Sequence, residues 1–169
     1  LVGSEMCIRD SIVADGRLAI EKRRLSANKN AEFCELTNMV MIQDDKGNVL
    51  VQEQQNPNGY TLPIGHIELG ESFVQSAIHG VKEKTGLDVD QLKLCGTKQF
   101  TSSDGCRHIV FLYKTNVFNG NKNEESNWIP LSKIHDYKLI SGLDDVLDVF
   151  KELDCNELYY NAQYQLKKY

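Results

Sequence analysis

Residues 65–87 (GHIELGESFVQSAIHGVKEKTGL) constrain the fold more than any other segment, because a glycine-containing loop runs directly into an amphipathic helix. Ser72 or Glu71 suits the start of this helix. Gly86 is a natural C-terminal stop, since glycine adopts the left-handed conformation at little cost. Apolar residues at helical spacing predict a face that packs into the core: Phe73, Val74, Ala77, Ile78 and Val81.

The opposite side of the predicted helix carries positions 79, 80, 83 and 84, which are three or four residues apart. Residues at this spacing share one side of a helix, so these side chains form a single exposed stripe. We therefore expect any chemistry that the helix carries to lie on this stripe.

Strand-forming residues flank the helix on both sides. Runs at 34–43 and 49–53 are separated by turn-forming residues at 44–48, which predicts a hairpin. Three further strands are predicted after the helix, at 92–100, 107–118 and 127–130. A second helix follows, for which Ser141 is the expected cap. Strands before and after a central helix predict a layered α/β domain.

The chain divides into four parts by composition. Residues 1–11 are interpreted as an adaptor-derived or otherwise non-native tail, because EMCIRDS resembles the translation of an adaptor used in sequencing libraries. Residues 12–32 lack turn signals and a sustained apolar period, which predicts a solvated N-terminal extension. We expect one domain over 33–160 and a C-terminal tail over 161–169.

The charge balance argues against binding to duplex nucleic acid, because 19 Lys and Arg face 24 Asp and Glu, a formal net charge of -5. No apolar run approaches the ~20 residues that span a bilayer, and no secretory signal pattern is present. We therefore expect a cytoplasmic protein with no membrane partner.

The cysteines are odd in number and scattered: Cys7, Cys34, Cys95, Cys106 and Cys155. Because none forms a C-x-x-C pair, their spacing predicts neither a disulfide framework nor a zinc site. We expect reduced and mostly buried thiols.

Arg107 and His108 begin a predicted strand, and we interpret them as surface residues rather than as phosphate or base contacts.

The loop and helix resemble the Nudix box in the spacing of five residues: Gly65, Glu71, Glu83, Gly86 and Leu87. The first half of that box is a glycine, five residues, a glutamate and seven residues. The second half is Arg-Glu, an aliphatic residue, any residue, Glu-Glu, any residue, a glycine and an aliphatic residue. The flanking sequences resemble the 8-oxo-dGTP diphosphatase branch of the Nudix hydrolases. The resemblance covers about residues 33–160 and implies a Nudix α/β/α sandwich with a mixed central β-sheet.

The resemblance also implies an activity, the cleavage of a nucleoside triphosphate to monophosphate and pyrophosphate with Mg²⁺. Magnesium neutralises the polyanionic chain and prefers hard oxygen ligands, which glutamates one helical turn apart provide. In the family, the glutamates of the Arg-Glu and Glu-Glu pairs hold the metal, and a loop glycine adds its carbonyl. The arginine pairs with the early glutamate and braces the loop against the helix.

This sequence departs from the family pattern at four positions: Ile64, His79, Gly80 and Lys84. Gly80 removes one ligand and, inside a helix, costs ~1 kcal/mol relative to alanine. Lys84 places an ammonium where a carboxylate should bind a dication. His79 lacks the guanidinium fork of the arginine, and Ile64 replaces a glycine where a β-branched residue would tolerate positive φ badly. We expect Mg²⁺ to bind weakly or not at all.

The remaining candidates follow from the resemblance. Glu83 is the one carboxylate left of the ligand trio, and Gly65 supplies the carbonyl of the loop. Glu71 is a catalytic candidate that orients the loop, or else a carboxylate that complements the helix dipole. Glu125 lies where many relatives place a glutamate that holds metal or activates water, although its loop is also typical of plain solvation.

Three hypotheses stay open. The first is a Nudix nucleoside triphosphate diphosphohydrolase whose activity is low. The second is a catalytically impaired Nudix domain that acts as a nucleotide-binding or protein-interaction module. The third is that the substitutions are errors in the sequence, which the adaptor-like residues 1–11 make reasonable. A homodimer is left open in each case.

Overall fold

The computed structural model describes residues 32, 34–55, 58–103, 105–151, 155–161 and 163–169. The predictions for the tail 1–11 and for residues 12–31 lie outside the described residues. None of the helices in the described part of the chain combines the length and the apolar character that are needed to cross a membrane.

Runs of strands are separated by helices in the described part of the chain. The strands are β1 (Cys34–Ile42), β2 (Asn48–Gln55), β3 (Asn58–Thr61), β4 (Ile64–His66), β5 (Asp88–Asp90), β6 (Lys93–Thr101), β7 (Arg107–Thr115), β8 (Val117–Asn119), β9 (Ser126–Pro130), β10 (Glu157–Tyr160) and β11 (Leu166–Lys168). The helices are α1 (Phe73–Thr85), a 3-10 helix (Leu131–Asp136) and α2 (Leu143–Phe150).

The largest sheet has six strands in the order β11-β10-β6-β7-β1-β4. It is mixed, because β1 runs parallel to β7 whereas β6 runs antiparallel to β7. A second sheet has the order β3-β2-β9, and β5 pairs with β8. The α/β fold with a mixed central sheet that the sequence predicted is confirmed.

The core consists of two clusters, one on each face of the six-stranded sheet. Along β1, Met39 and Met41 belong to the cluster that contains the buried residues of α2. The alternate residues Val40 and Ile42 belong to the cluster that contains Ala77 of α1. Since successive residues of a strand point to opposite faces, the sheet has an α1 face and an α2 face. This is the predicted α/β/α sandwich.

The predicted hairpin between β1 and β2 is wrong in its pairing. Asp44 Oδ1 accepts hydrogen bonds from the backbone N–H groups of Lys46 and Asn48, so the turn forms as the sequence indicated. However, β1 pairs with β4 and β7, and β2 pairs with β3 and β9. Because both edges of β1 are occupied, the two strands separate after an isolated bridge between Gln43 and Val49.

Other boundaries also differ from the sequence predictions. The strand predicted over 107–118 is divided, since β7 ends at Thr115 and β8 begins at Val117. The residues 161–169, expected to be a tail, contain β11, which pairs with β10 and joins the six-stranded sheet. The N-cap of α2 is Gly142 at φ 76°, and Ser141 provides no cap.

The buried side of α1 differs from the predicted one at its first turn. Phe73 and Val74 are 42% and 41% exposed, and the buried residues are Ser76, Ala77, Val81 and Thr85. Burial of two hydroxyls is tolerated because each has hydrogen-bond partners within the helix or its flanking loops.

The sequence predicted that α1 begins at Ser72 or Glu71, and in the structure a capping box formed by Ser72 and Gln75 closes this end of the helix. The backbone N–H of Gln75 donates to Ser72 Oγ at 3.2 Å, and Gln75 Oε1 accepts from the backbone N–H of Ser72 at 2.9 Å. This arrangement satisfies two N–H groups that the helix itself leaves unpaired.

We expect Ser72→Ala to lower the free energy of unfolding by about 1 kcal/mol, because the cap is lost. Ser141→Ala is the matched control, and it should change stability by less than about 0.5 kcal/mol, since Ser141 does not cap α2. Urea unfolding of the two variants measures both values. Equal destabilisation by both substitutions would contradict the assignment of the caps.

Candidate active site on helix α1

The loop between β4 and α1 is fixed by Ser76, a residue of the second turn of the helix. Ser76 is 1% exposed. Its hydroxyl donates to Glu71 Oε2 at 3.0 Å and accepts from the backbone N–H of Glu68 at 3.0 Å. The carboxylate of Glu71 is therefore held over the first turns of α1.

His79 lies between the two carboxylates that the sequence singled out. Its Nδ1 is 3.4 Å from Glu71 Oε1, and its Nε2 is 3.4 Å from Glu83 Oε1. The ring thus links the loop to the helix at the position that the family gives to arginine. Because Nε2 also contacts Glu83, the carboxylate expected to bind metal faces an imidazole nitrogen.

Gly80 and Gly65 are in direct contact, backbone against backbone. A Cβ atom built on Gly80 would lie 3.2 Å from Gly65 Cα, and one built on Gly65 would lie 3.3 Å from Gly80 Cα. Such distances are tighter than ordinary van der Waals contact, so any larger residue at position 80 requires a small shift of helix or strand. Position 80 therefore lacks the glutamate of the family pattern at the same point where the backbone of α1 closely approaches that of β4.

Asn38 lies behind this contact and was not singled out from the sequence. It is 1% exposed and pairs with Gly65 across β1 and β4. Its Nδ2 is buried and has no hydrogen-bond partner within the described residues. A polar residue inside the apolar run of β1 was the one sequence signal that could have identified it.

Ile64 does not occupy a strained loop position, so the expected strain is wrong. It is the first residue of β4 and pairs with Met39. Its side chain packs against the core cluster on the α2 face. Among the non-glycine residues that the structure describes, positive φ occurs at Gln91 and Tyr164 but not at Ile64.

Lys84 lies in the last turn of α1, where its exposed ammonium complements the negative end of the helix dipole. Its carbonyl oxygen accepts from Gln52 Nε2 at 2.8 Å and from Asn123 Nδ2 at 2.7 Å. These two bonds attach β2 and the loop before β9 to the end of the helix.

Glu125 is in that loop, exposed and directly before β9. Within the described ranges, no hydrogen bond or ion pair joins it to Glu71 or Glu83. The structure thus brings Glu71, His79 and Glu83 together through direct contacts. It ties the loop of Glu125 to the end of the helix through Asn123, whose side-chain amide and backbone N–H donate to the carbonyl oxygens of Lys84 and Thr85.

These residues fit a magnesium ion poorly. Of the three ligand positions in the family pattern, positions 80 and 84 offer no carboxylate. The carboxylate of the third, Glu83, is already in contact with His79. Magnesium requires near-octahedral oxygen ligation, and an ammonium on the same stripe opposes a dication.

A separate cavity of about 200 Å³ lies on the α2 face and is lined by none of the predicted site residues. Lys98 lies 5.3 Å from the ring centroid of Tyr160 there, and burial lowers the pKa of its ammonium group. Burial also raises the pKa of Tyr160, and so does the hydrogen bond that its hydroxyl donates to Asp145 Oδ2 at 2.8 Å.

The chain is similar to known proteins across this whole region. The family model of the NUDIX domain matches residues 36–150. The uncharacterized Nudix hydrolase YvcI of Bacillus subtilis (strain 168) is 27% identical over 147 residues, which cover 79% of this chain and 91% of that protein.

Two solved structures show the same fold. The mutator MutT protein from Bacillus halodurans superimposes with a TM-score of 0.63 at 17% identity, over 78% of this chain and 94% of its own. The Nudix domain of NrtR from Shewanella oneidensis, crystallised with ADP-ribose, has a TM-score of 0.58 at 18% identity, over 79% and 98% of the two chains. Because the family model covers more than half of the sequence, the chain belongs to the Nudix domain family.

Proposed function

We propose that this protein is a Nudix hydrolase by descent whose Mg²⁺-dependent cleavage of nucleoside triphosphates, 8-oxo-dGTP among them, is weak or absent. The observation that carries this proposal is that Glu83 has no carboxylate neighbours at the other two ligand positions and is in contact with His79. It is the one carboxylate left at the three ligand positions, and His79 contacts it at 3.4 Å. Loss of a single electrostatic contact at a catalytic centre commonly costs ~10²–10³ in rate, and here two ligands are replaced together.

The direct test is pyrophosphate release from 8-oxo-dGTP and from normal dNTPs, measured with the full chain in the presence of Mg²⁺. We expect little or no turnover above a reaction without protein. Robust magnesium-dependent turnover would contradict the proposal, because it would require a complete metal site that the stripe does not provide.

Restoring the family residues should restore the activity. The full variant combines His79→Arg, Gly80→Glu, Lys84→Glu and Ile64→Gly, and we expect its rate to rise at least ~10²-fold above that of the parent chain. A glutamate at position 80 must displace Gly65 by a few tenths of an ångström, since its Cβ would lie 3.2 Å from Gly65 Cα. Unfolding midpoints of parent and variant check that the scaffold tolerates this shift.

Lys84→Glu alone isolates the charge on the stripe, and we expect it to strengthen Mg²⁺ binding without full turnover. Lys133→Glu is the matched control, because it makes the same change of charge on an exposed residue of the 3-10 helix, away from α1. If the full variant is folded but inactive, or if Lys133→Glu has the same effect as Lys84→Glu, the assignment of the ligand positions is wrong.

A second candidate function is nucleotide binding without hydrolysis. It is favoured by the exposed cation of Lys84 beside the stripe and by the fact that the NrtR Nudix domain was crystallised with ADP-ribose. Calorimetric titration with ADP-ribose and with 8-oxo-dGTP, each with and without Mg²⁺, distinguishes this function. Binding that does not depend on magnesium supports it, and absence of binding in all four titrations excludes it.

A homodimer also remains a prediction, which sedimentation equilibrium tests.

A further inference from the structure

Four potential metal ligands meet where neighbouring strands of the six-stranded sheet come together. Glu35 lies in β1, His66 in β4 and His108 in β7, and Cys106 directly precedes β7. Because β1 lies between β4 and β7, and Glu35 is paired with His108, the three strands bring these side chains side by side. We call this group the Glu35 cluster.

The distances within the Glu35 cluster are short. His66 Nδ1 is 3.5 Å from Glu35 Oε1, and His108 Nδ1 is 3.4 Å from Glu35 Oε2. The ligand atoms of Glu35, Cys106 and His108 all lie within 4.8 Å of one another. Both oxygens of one carboxylate are thus faced by imidazole nitrogens, and a sulfur atom lies close to them.

The orientation of His108 is fixed by two further contacts. Its ring stacks on Phe100 with the centroids 4.8 Å apart and the planes 3° from parallel. Its Nε2 is 3.0 Å from Ser102 Oγ. The Ser102 hydroxyl donates to the carbonyl oxygen of Cys106 at 2.9 Å, and in the Nε2–H tautomer of His108 the Ser102 oxygen accepts from Nε2–H.

This arrangement directs His108 Nδ1 at the carboxylate of Glu35. When Nε2 carries the proton of the neutral ring, Nδ1 has a lone pair and faces another acceptor at 3.4 Å. Two acceptors at this distance repel each other unless a proton or a metal ion lies between them. A histidine that binds metal through one nitrogen usually donates from the other to an oxygen, as His108 does to Ser102.

We propose that the Glu35 cluster is a binding site for Zn²⁺ or a similar transition-metal ion, with Cys106 Sγ, His108 Nδ1, a Glu35 oxygen and His66 Nδ1 as ligands. Tetrahedral zinc with bonds of 2.0–2.3 Å places its ligands about 3.3–3.6 Å apart. The contact of each histidine with its nearer Glu35 oxygen already has this separation, Oε1 for His66 and Oε2 for His108. Thiolate and imidazole favour zinc over magnesium.

The Glu35 cluster is independent of the stripe on α1. Alternation along β1 places Glu35 on the same face as Met39 and Met41, which is the α2 face. Glu71, His79 and Glu83 belong to α1 and its preceding loop, and α1 covers the other face. The proposal therefore goes beyond the proposed function, and the two can fail separately.

The cluster is also accessible from solvent. The side chain of His66 is 71% exposed and that of Glu35 is 44% exposed, whereas that of His108 is 20% exposed. An ion can thus enter from the side of His66 and reach the two more enclosed ligands. Since the ligands belong to different strands, a bound ion would tie β4, β1 and β7 together and raise the unfolding temperature.

The experiment is titration of the full chain, after treatment with a chelator, with Zn²⁺ by calorimetry and with Co²⁺ by absorption spectroscopy. We expect one ion per chain, the visible bands of tetrahedral cobalt, and a thiolate-to-cobalt charge-transfer band. Cys106→Ser should abolish the charge-transfer band. His108→Ala should weaken binding at least tenfold, and Ser102→Ala, which removes the support of His108, should weaken it about 10–100-fold.

The matched controls are Cys95→Ser and His135→Gln, which alter the same residue types outside the cluster. Both should leave the affinity and the spectra unchanged, and unfolding midpoints without metal show whether each variant is folded. Absence of Zn²⁺ and Co²⁺ binding would overturn the proposal. So would binding that survives both Cys106→Ser and His108→Ala, or binding that His79→Gln removes, because the ion would then lie on α1.

Discussion

The close approach of α1 to β4 at Gly80 and Gly65 is the constraint on which the candidate active site depends. Two residues without side chains let the backbones meet, and Asn38 fills the space behind them. This contact sets the depth at which Ala77 and Val81 enter the core on the α1 face. It also determines where the loop between strand and helix begins, and hence where Glu71 lies.

The stripe on α1 has no carboxylate at positions 80 and 84, but it keeps the contacts among Glu71, His79 and Glu83. His79 takes the place of an arginine and contacts two glutamates instead of one. These groups are half exposed, so each contact is worth about 0–1 kcal/mol, and folding does not depend on them. Stability instead comes from the capping box, Ser76 and the buried residues, none of which needs a metal. The fold therefore does not depend on the residues at positions 79, 80 and 84.

The sequence predicted local features well because their causes are local. The two ends of α1, at Ser72 and Gly86, and the turn at 44–48 both follow from residues a few positions apart. The pairing of β1 with β4 and β7 could not be predicted in this way, since it depends on contacts between strands that are distant in sequence. A hydrophobic pattern cannot show that the hydroxyl of Ser76 has hydrogen-bond partners when it is buried. The predicted buried side of α1 therefore included Phe73 and Val74, which are exposed, and omitted Ser76.

The Glu35 cluster was missed for a related reason. Zinc motifs are recognised by cysteine and histidine spacing along the chain, whereas these side chains come from three strands and the turn before one of them. Their separation in sequence is large, and only the parallel pairing of β1 with β7 brings Glu35 opposite His108. The candidate site on α1, in contrast, lies mostly within one loop and one helix, so spacing could single out Glu71, His79 and Glu83. It could not single out Asn38, which belongs to β1, or the buried Ser76.

The two edge strands of the six-stranded sheet, β4 and β11, limit how copies of this chain can associate. β4 and β11 each contain three residues, and Lys167 and Lys168 of β11 are exposed. Short edge strands offer few backbone groups for pairing with another chain, and an exposed lysine such as Lys167 opposes such pairing further. Extension of the six-stranded sheet by a second copy is therefore disfavoured at both of its edges.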